Sequence, residues 1–253
     1  MTLYKYLSPE RIDVLSEGRI RFTPFFEMND PFEFSFALNA HSNEKFDAET
    51  DNFLFERAEA AQFMRSEFGT CGILCLSKRR DSKLMWSHYA DNHRGFIIGF
   101  NPEHSFFNQE TFLISPVLGK IHVSGAGFSF PRAIEYMTSP PRISMGQDTI
   151  NILFKKAKCW QYEEEVRVLR NIVSSSFRPT KNIDLFVFPP DAVNEIVIGI
   201  GTSSLLQSKI LELSKEKYTS AKVEYAEIDS RNYEMSFSKE NSEINRIWRT
   251  FFQ

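Results

Sequence analysis

The sequence predicts an α+β fold with a mixed or mainly antiparallel β-sheet, split or continuous, flanked by helices. Short β-branched or aromatic segments alternate with helical segments, and turn residues separate them along the chain. No internal repeat, low-complexity linker or sharp change of composition interrupts this pattern. We therefore expect the 253 residues to form a single α+β domain, with a helical insertion at 43–68.

The first 23 residues are predicted to form a strand–helix–strand unit. Leu3–Leu7 is a short strand, and Ser8-Pro9-Glu10 supplies an N-cap, a proline in the first helical turn and an early carboxylate. The helix is expected to run to Glu17 and to end at Gly18, because glycine readily adopts the left-handed conformation. Arg19–Thr23 is the second strand, so Lys5, Arg19 and Arg21 are expected to form a basic strip on two paired strands.

A loop around Asn29-Asp30-Pro31 follows, because the residue before a proline avoids the helical region. The charged segment 43–68 is predicted to be helical, with one solvent-exposed face. The later elements are expected in this order: strand Gly72–Leu76, a helix from Asp81 or Ser82 through Asn92, strand Phe96–Phe100, short strands at Leu113–Val117, Lys120–Val123 and Ala133–Tyr136, a helix at Thr149–Cys159, strands Trp160–Leu169, Ile183–Phe188 and Val193–Ile200, a helix at Ser203–Lys217, strands Val223–Ile228 and Tyr233–Phe237, and a terminal helix at Asn241–Phe252.

The composition narrows the cellular setting and the partners. A formal net charge of −3 argues against broad non-specific binding to nucleic acid, although a local basic patch is compatible with it. The three cysteines contain no C-x-x-C pair, which favours free thiols in a reducing compartment. The N-terminus does not resemble a signal peptide, and no apolar run approaches the roughly 20 residues that span a bilayer. We expect a cytoplasmic protein without a membrane partner.

The sequence predicts no metal site and no nucleotide-binding glycine loop. The five histidines form no H-E-x-x-H pattern and are not paired with cysteine at ligand spacing. The glycines at Gly199 and Gly201 can receive a phosphate at a helix start, but a short strand-to-helix turn explains them equally well. Metal-dependent chemistry is therefore not expected.

The strongest candidate site lies in the predicted strand Trp160–Leu169. Because side chains alternate along a strand, Glu163, Glu165 and Arg167 should project to one face. Two carboxylates held close raise each other's pKa, while the guanidinium opposes that rise. The same pattern also describes an ion-paired strand edge, so both interpretations remain open.

Two further groups of polar residues are candidates for binding. His88, on a predicted helix beside Trp86 and Tyr89, can act as a base or a hydrogen-bond donor, or can be an ordinary core histidine. Asn29 and Asp30 offer polar groups to a ligand, or satisfy backbone groups in a tight turn. The local sequence does not decide between these alternatives.

The chain resembles a widespread bacterial family of unknown function, number 2971. The segments that carry the resemblance are Leu3-Tyr4-Lys5-Tyr6, Gly18 with Ile20-Arg21-Phe22, Phe26 to Glu33, Met85 to Asp91, Gly95-Phe96, Glu135-Tyr136, Lys156 before Trp160, Tyr162-Glu163 with Glu165 and Arg167, Val193–Gly199 and Tyr233–Phe237. This family resemblance assigns no chemistry.

The opening strand, short helix, glycine and second strand also resemble the start of ADP-ribosyltransferase folds. Such proteins bind NAD between two small sheets and use a glutamate, often in an E-x-E pair, on a later strand. The resemblance implies that Tyr4 or Tyr6 contacts the ligand, that Glu165 is the catalytic glutamate, and that Glu163 is its partner. The usual middle-strand motif is not evident in this chain.

These observations together predict an NAD- or nucleotide-binding protein that transfers or cleaves ADP-ribose. Arg21 and Arg167 would hold phosphates, and Trp86 or Tyr89 would pack against a ring. NAD would be the substrate, with an unidentified protein or nucleic acid as acceptor. The alternative prediction is a non-catalytic module that senses a nucleotide or a protein, as in a defence system.

Overall fold

The structure is a computed structural model that describes residues 1–33, 37–38, 62, 64–109, 112–115, 119–122, 130–143, 149–180, 183–229, 231–242, 247 and 250. Most of the predicted insertion at 43–68 and of the predicted helix at Asn241–Phe252 lies outside this range. The α+β fold class is confirmed. No helix among the described residues has the length and apolar character needed to cross a membrane.

The described helices and strands are numbered in the order in which they occur along the chain. The helices are α1 (Asp13–Glu17), α2 (described over residues 64–68), α3 (Lys83–Tyr89) and α4 (Ser204–Glu216). The strands are β1 (Leu3–Leu7), β2 (Arg19–Arg21), β3 (Thr23–Pro24), β4 (Ala37–Leu38), β5 (Cys71–Ser77), β6 (Phe96–Phe100), β7 (Phe112–Ser115), β8 (Gly119–His122), β9 (Arg132–Ala133), β10 (Glu135–Met137), β11 (Arg142–Ile143), β12 (Lys155–Ala157), β13 (Glu165–Asn171), β14 (Leu185–Val187), β15 (Val193–Ile198), β16 (Lys222–Asp229) and β17 (Glu234–Ser238). Short 3-10 turns occur at Pro9–Ile12, Phe25–Glu27, Ser105–Phe107, Thr149–Phe154, Lys158–Glu163, Ile172–Ser174 and Pro190–Ala192.

One large, mostly antiparallel sheet organises the fold. Its strands lie in the order β17-β16-β15-β6-β1-β5-β13-β9, and β3 also pairs with β5. Within this sheet β15 and β16 are parallel, whereas the other neighbouring strands run antiparallel. Four two-stranded sheets, β10-β12, β11-β4, β14-β2 and β7-β8, complete the described pairings. The mixed, mainly antiparallel sheet predicted from sequence is thus present.

The predicted strand–helix–strand opening is present, with two differences. A 3-10 turn at Pro9–Ile12 precedes α1, and Gly18 ends α1 with a left-handed φ of +64°. The prediction that the two opening strands pair is wrong, because β2 pairs with β14 while β1 lies between β5 and β6. Arg19 instead stacks 4.4 Å above the ring of Phe177, so the predicted basic strip does not form.

The segment before β13 also differs from the sequence prediction. The predicted helix at Thr149–Cys159 is two 3-10 turns separated by β12, because β12 pairs in parallel with β10 and tertiary pairing overrides local helical preference. The predicted strand Trp160–Leu169 starts only at Glu165, since Glu164 adopts a left-handed φ of +42°. Glu163 therefore ends a 3-10 turn and does not belong to the strand.

Helix α3 begins as predicted and ends early. The Ser82 hydroxyl accepts a hydrogen bond from the Met85 amide at the N-cap. The predicted end of the helix was Asn92. The helix stops at Tyr89 instead, because three consecutive residues shortly after it adopt positive φ. These residues are Asp91, Asn92 and His93, with φ of 46°, 52° and 66°. Aspartate and asparagine tolerate this conformation better than most residues.

The large sheet carries an apolar core on each face. One face packs under α1 and α4 through a cluster that includes Leu7, Val14, Ile198 and Ile210. The opposite face carries two separate clusters. One surrounds Trp86 of α3, and the other contains Cys71, Ile73, Phe154 and Leu169. Cys71, Ile73 and Cys75 pack on this same face, and all three cysteines are free thiols.

The sheet opens between β1 and β5. These strands share a single register pair, Tyr4 with Ser77, whereas β5 and β13 pair along seven residues. Farther along β5, strand β3 pairs with this strand at Gly72 and Ile73. The edge of β5 between these two contacts faces a gap, and the Lys5 ammonium donates across it to the Cys75 carbonyl at 3.1 Å. This gap positions the site described next.

Candidate functional site: a polar cavity between two strands

A cavity of about 240 Å³ lies where β1 and β5 separate, and we call it the β1/β5 cavity. Its wall is built from β1, β2, β3, β5, α3, β12, β13 and the segment around Met28. The lining residues that carry polar or aromatic groups are Tyr4, Lys5, Tyr6, Arg21, Thr23, Glu27, Asn29, Cys75, Ser77, Tyr89, Lys156, Glu163 and Glu165. Residues far apart in the chain therefore meet in one place.

Five charged side chains form an unbroken chain of ion pairs that begins at the cavity wall and continues into the protein interior. Lys156 Nζ lies 2.6 Å from Glu163 Oε2 and 3.0 Å from Glu165 Oε2. Arg167 Nε lies 2.7 Å from Glu165 Oε1, and the same guanidinium pairs with Glu33. Every one of these side chains is at least 96% buried. Burial of this kind requires pairing, because an isolated buried charge is very costly.

The two glutamates of the pair have different surroundings. Glu165 receives Arg167 on both oxygens, at 2.7 and 3.2 Å, in addition to Lys156. Glu163 receives one donor on each oxygen, Tyr89 at 2.6 Å on Oε1 and Lys156 at 2.6 Å on Oε2. Since a carboxylate offers about four acceptor positions, Glu163 has the larger unused capacity for a ligand.

Burial shapes the protonation of this wall. Burial raises the pKa of Glu165, and the Lys156 charge opposes that rise. Burial disfavours the charged form of Lys156, but the charges of Glu165 and Glu163 outweigh it and raise the Lys156 pKa. Burial lowers the pKa of Arg167 to about 9, which leaves it protonated at neutral pH. Lys156 and Arg167 are therefore cations near pH 7, and each is paired with a buried glutamate.

Lys5 differs from the other cations that line the cavity. Lys156 pairs with the two glutamates, and Arg21 pairs with Glu27. Among the described residues, no carboxylate lies within 4 Å of the Lys5 ammonium, whose hydrogen bond goes to a backbone carbonyl. Burial lowers the pKa of Lys5.

Three tyrosines also line the cavity. The Tyr4 hydroxyl donates to Glu195 Oε1 at 2.7 Å, and the Tyr6 hydroxyl donates to the Arg79 carbonyl at 2.9 Å. Tyr89 is tied to Glu163, as described above. Burial, followed by the Glu163 hydrogen bond, raises the pKa of Tyr89, so its hydroxyl remains a donor at neutral pH. Fixed hydroxyls leave the three rings with defined orientations.

Seven of the residues predicted from sequence to form the site line the cavity. They are Tyr4, Tyr6, Arg21, Asn29, Tyr89, Glu163 and Glu165. Arg167 lies behind Glu165, fully buried, and is placed to orient that carboxylate and not to hold a ligand phosphate. The prediction of direct contact between Arg167 and a phosphate is therefore wrong, because β13 directs its guanidinium into an internal network.

Three other predicted residues do not reach the cavity. Asp30 Oδ1 accepts from the Phe32 amide at 2.9 Å, which matches the turn interpretation. Trp86 is fully buried, and its indole nitrogen donates to the Arg80 carbonyl at 2.7 Å. His88 is exposed, with Nδ1 3.0 Å from the Tyr162 hydroxyl. Helix α3 turns Met85 and Tyr89 toward the cavity, and these two side chains lie one helical turn apart.

The sequence interpretation missed Lys156, Glu33 and the role of Lys5. No role was predicted for Lys156, because β12 is only three residues long and the contact of Lys156 with Glu163 and Glu165 depends on the turn that follows it. Glu33 was part of the loop weighed as a binding segment, but its partner Arg167 is distant in the chain. The described residues contain no group of three or more His, Cys, Asp or Glu side chains arranged to hold a metal ion.

The fold and site define an α+β protein with a buried, ion-paired cavity at a split in its main sheet. Residues 85–168 match a protein family described as "Protein of unknown function (DUF2971)". The predicted resemblance to this family is confirmed over that segment, which contains Tyr89, Lys156, Glu163 and Glu165. Neither a curated protein nor a solved structure matches the chain significantly.

Proposed function

We propose that the β1/β5 cavity binds NAD or a related nucleotide and that the protein transfers or cleaves ADP-ribose. The observation that supports the proposal is the convergence of two carboxylates, three tyrosines and Arg21 in one cavity at a split in the sheet. Departure of nicotinamide from NAD leaves positive charge on the ribose. A carboxylate held nearby would stabilise that charge electrostatically.

The proposal assigns direct contact with the ribose to Glu163 and a positioning role to Glu165, which reverses the roles implied by the sequence resemblance. Glu163 lines the cavity and has one donor on each oxygen. Glu165 is held by Arg167 and Lys156, so it can fix Lys156 and through it Glu163. Oriented groups of this kind reduce the reorganisation needed during reaction.

The size of the cavity limits what enters it. A volume of about 240 Å³ is below the roughly 300–1,000 Å³ typical of pockets for drug-sized ligands. The cavity would therefore hold the nicotinamide and its ribose, and the remainder of a dinucleotide would lie outside. The pair of Arg21 with Glu27, which is partly exposed, offers a cation for the phosphates that leave the cavity.

Glu163→Gln is expected to lower the rate of nicotinamide release from NAD at least 100-fold, because the amide lacks the negative charge that stabilises the ribosyl cation. The fold should persist, since glutamine keeps an acceptor for Tyr89 and Lys156 retains Glu165. Nicotinamide release is measured by chromatography after incubation with NAD, together with the melting temperature.

Glu135→Gln is the matched control, because Glu135 is an exposed glutamate that pairs with Lys155 next to the site lysine. Its activity should equal that of the unchanged protein. Unchanged activity in Glu163→Gln, with release by the parent protein established, would remove Glu163 from the mechanism.

A binding module without catalysis is the second candidate, and one observation favours it. Both glutamates are already paired with buried cations, which weakens either as a base. In that case NAD would raise the melting temperature, because a ligand that binds only the native state stabilises it. Stabilisation without nicotinamide release, with candidate acceptors present, would favour the sensor over the enzyme.

A further inference from the structure

The ion-pair network that reaches the β1/β5 cavity through Lys156, Glu163 and Glu165 carries an excess of negative charge. Its five linked side chains are three glutamates and two cations, Glu33, Glu163, Glu165, Lys156 and Arg167. With all five ionised, the linked group has a net charge of −1. An excess charge in a buried setting needs compensation from nearby, since solvent screens it poorly.

Lys5 is the cation placed to supply that compensation when the cavity is empty. It lines the cavity and acts electrostatically on both Glu163 and Glu165, although neither carboxylate comes within 4 Å of its ammonium among the residues described. The ammonium contacts the Cys75 carbonyl instead, across the gap between the strands. The compensation is therefore indirect, and a cation in the cavity could replace it at shorter range.

We propose that the β1/β5 cavity is a site for a flat organic cation, such as the pyridinium ring of oxidised nicotinamide nucleotides, and that binding releases the proton of Lys5. The inference rests on the proposed function for its choice of ring. It adds that the charge of the ring, and not only its shape, is recognised. The oxidised form would then be preferred over the reduced form, whose ring is neutral.

The aromatic lining fits such an occupant. Tyr4, Tyr6 and Tyr89 all contribute to the cavity wall, and their hydroxyls are engaged with protein groups. Aromatic faces attract organic cations through the ring quadrupole, and this attraction is larger where water is excluded. Glu163, with unused acceptor capacity, supplies a negative charge at the same wall.

Release of the Lys5 proton predicts the direction in which ligand affinity changes with pH. Burial lowers the pKa of Lys5, so release of the proton costs less than from a solvated lysine. The ionisable groups that act on Lys5 are Cys75 of β5, Glu165 of β13, Glu163 of the preceding turn and Arg11 of the first 3-10 turn. A cationic ligand competes with the Lys5 proton, so its affinity should rise with pH until Lys5 is fully deprotonated.

The test compares two rings that differ in charge. We expect 1-methylnicotinamide, a cation, to bind at least tenfold more tightly than neutral nicotinamide, as measured by calorimetry between pH 6 and pH 9. Calorimetry in two buffers of different ionisation enthalpy should reveal release of up to one proton for the cation and none for nicotinamide. Neither measurement depends on turnover of NAD.

Lys5→Met identifies the source of the proton. Methionine retains much of the apolar stem, so the fold should persist, as checked by the melting temperature. The variant should bind 1-methylnicotinamide more tightly than the parent near pH 7, with a weaker pH dependence and no proton release. Lys155→Met is the control. Lys155 precedes Lys156 on β12 and pairs with the exposed Glu135.

Several outcomes would overturn the inference. Equal affinity for the two rings, absence of binding by 1-methylnicotinamide, or binding of it without proton release would each do so. If inorganic pyrophosphate bound more tightly than 1-methylnicotinamide, and Lys5→Met abolished that binding, Lys5 would instead be part of an anion site. Selective binding of the cation by a protein that never releases nicotinamide would support the inference while contradicting the proposed enzymatic activity.

Discussion

Arg167→Met is expected to lower the free energy of unfolding by about 3–5 kcal/mol, the usual cost of removing one partner from a buried ion pair. The guanidinium is fully buried and binds Glu165 through two nitrogens, Glu33, and the Leu153 carbonyl at 2.6 Å. Methionine would remove the guanidinium from the buried carboxylates of Glu33 and Glu165, and Lys156 would remain as a partner of Glu165. Urea unfolding followed by circular dichroism measures the change.

Arg79→Met is the control for the loss of a guanidinium in itself. Arg79 pairs with Asp81 at 2.8 Å, but both side chains are nearly half exposed, so the expected change is below about 1 kcal/mol. If Arg167→Met does not fold, Glu165→Gln combined with Arg167→Met should restore part of the stability by removing one uncompensated charge. Equal effects of Arg167→Met and Arg79→Met would contradict the ion-pair network.

Lys156→Met should have a comparable effect, about 3–5 kcal/mol of lost stability, because it leaves Glu163 and Glu165 close together without their shared cation. The neighbouring Lys155→Met is the matched control. Lys155 pairs at 2.7 Å with Glu135, whose side chain is 67% exposed, so its removal should cost below about 1 kcal/mol. Both variants are compared by urea unfolding at pH 7.

The Lys156→Met variant should also acquire a distinctive pH dependence. Without the lysine, two like charges raise the pKa of one carboxyl group above the unfolded value of about 4.3. The native state then binds a proton more strongly than the unfolded state, so stability falls as pH rises from that value to the raised pKa. The deficit relative to the parent should thus be smaller at pH 5 than at pH 8. A deficit that grows on acidification would contradict this arrangement.

The elements that were predicted well depend on signals within a few residues. Gly18 ends α1 in the left-handed conformation, and Ser203 caps α4 by accepting from the Leu206 amide. Strands β15 and β16 follow from β-branched alternating segments. Alternation likewise places Glu165 and Arg167 on one face of β13, where they form an ion pair.

The elements that were predicted poorly depend on distant pairing. The helix expected at Thr149–Cys159 is interrupted by β12, because this segment pairs with β10. That pairing cannot be predicted from the local sequence. The pairing expected between β1 and β2 is replaced by β1 with β5 and β6. Trp86 and His88 illustrate the same limit, because the docking of α3 decides which of its faces meets the cavity.

Local patterns were sufficient to predict the α+β class, the end of α1 at Gly18, and the grouping of Glu163 and Glu165 close to Arg167. Long-range packing places Lys156 between the two glutamates, pairs Glu33 with Arg167, and leaves Lys5 at the cavity without a carboxylate within 4 Å among the described residues. The difference follows from the distance along the chain over which each interaction acts. Caps and strand alternation arise from neighbours along the chain, whereas the charge balance of a buried cavity depends on which distant strands separate and which pair.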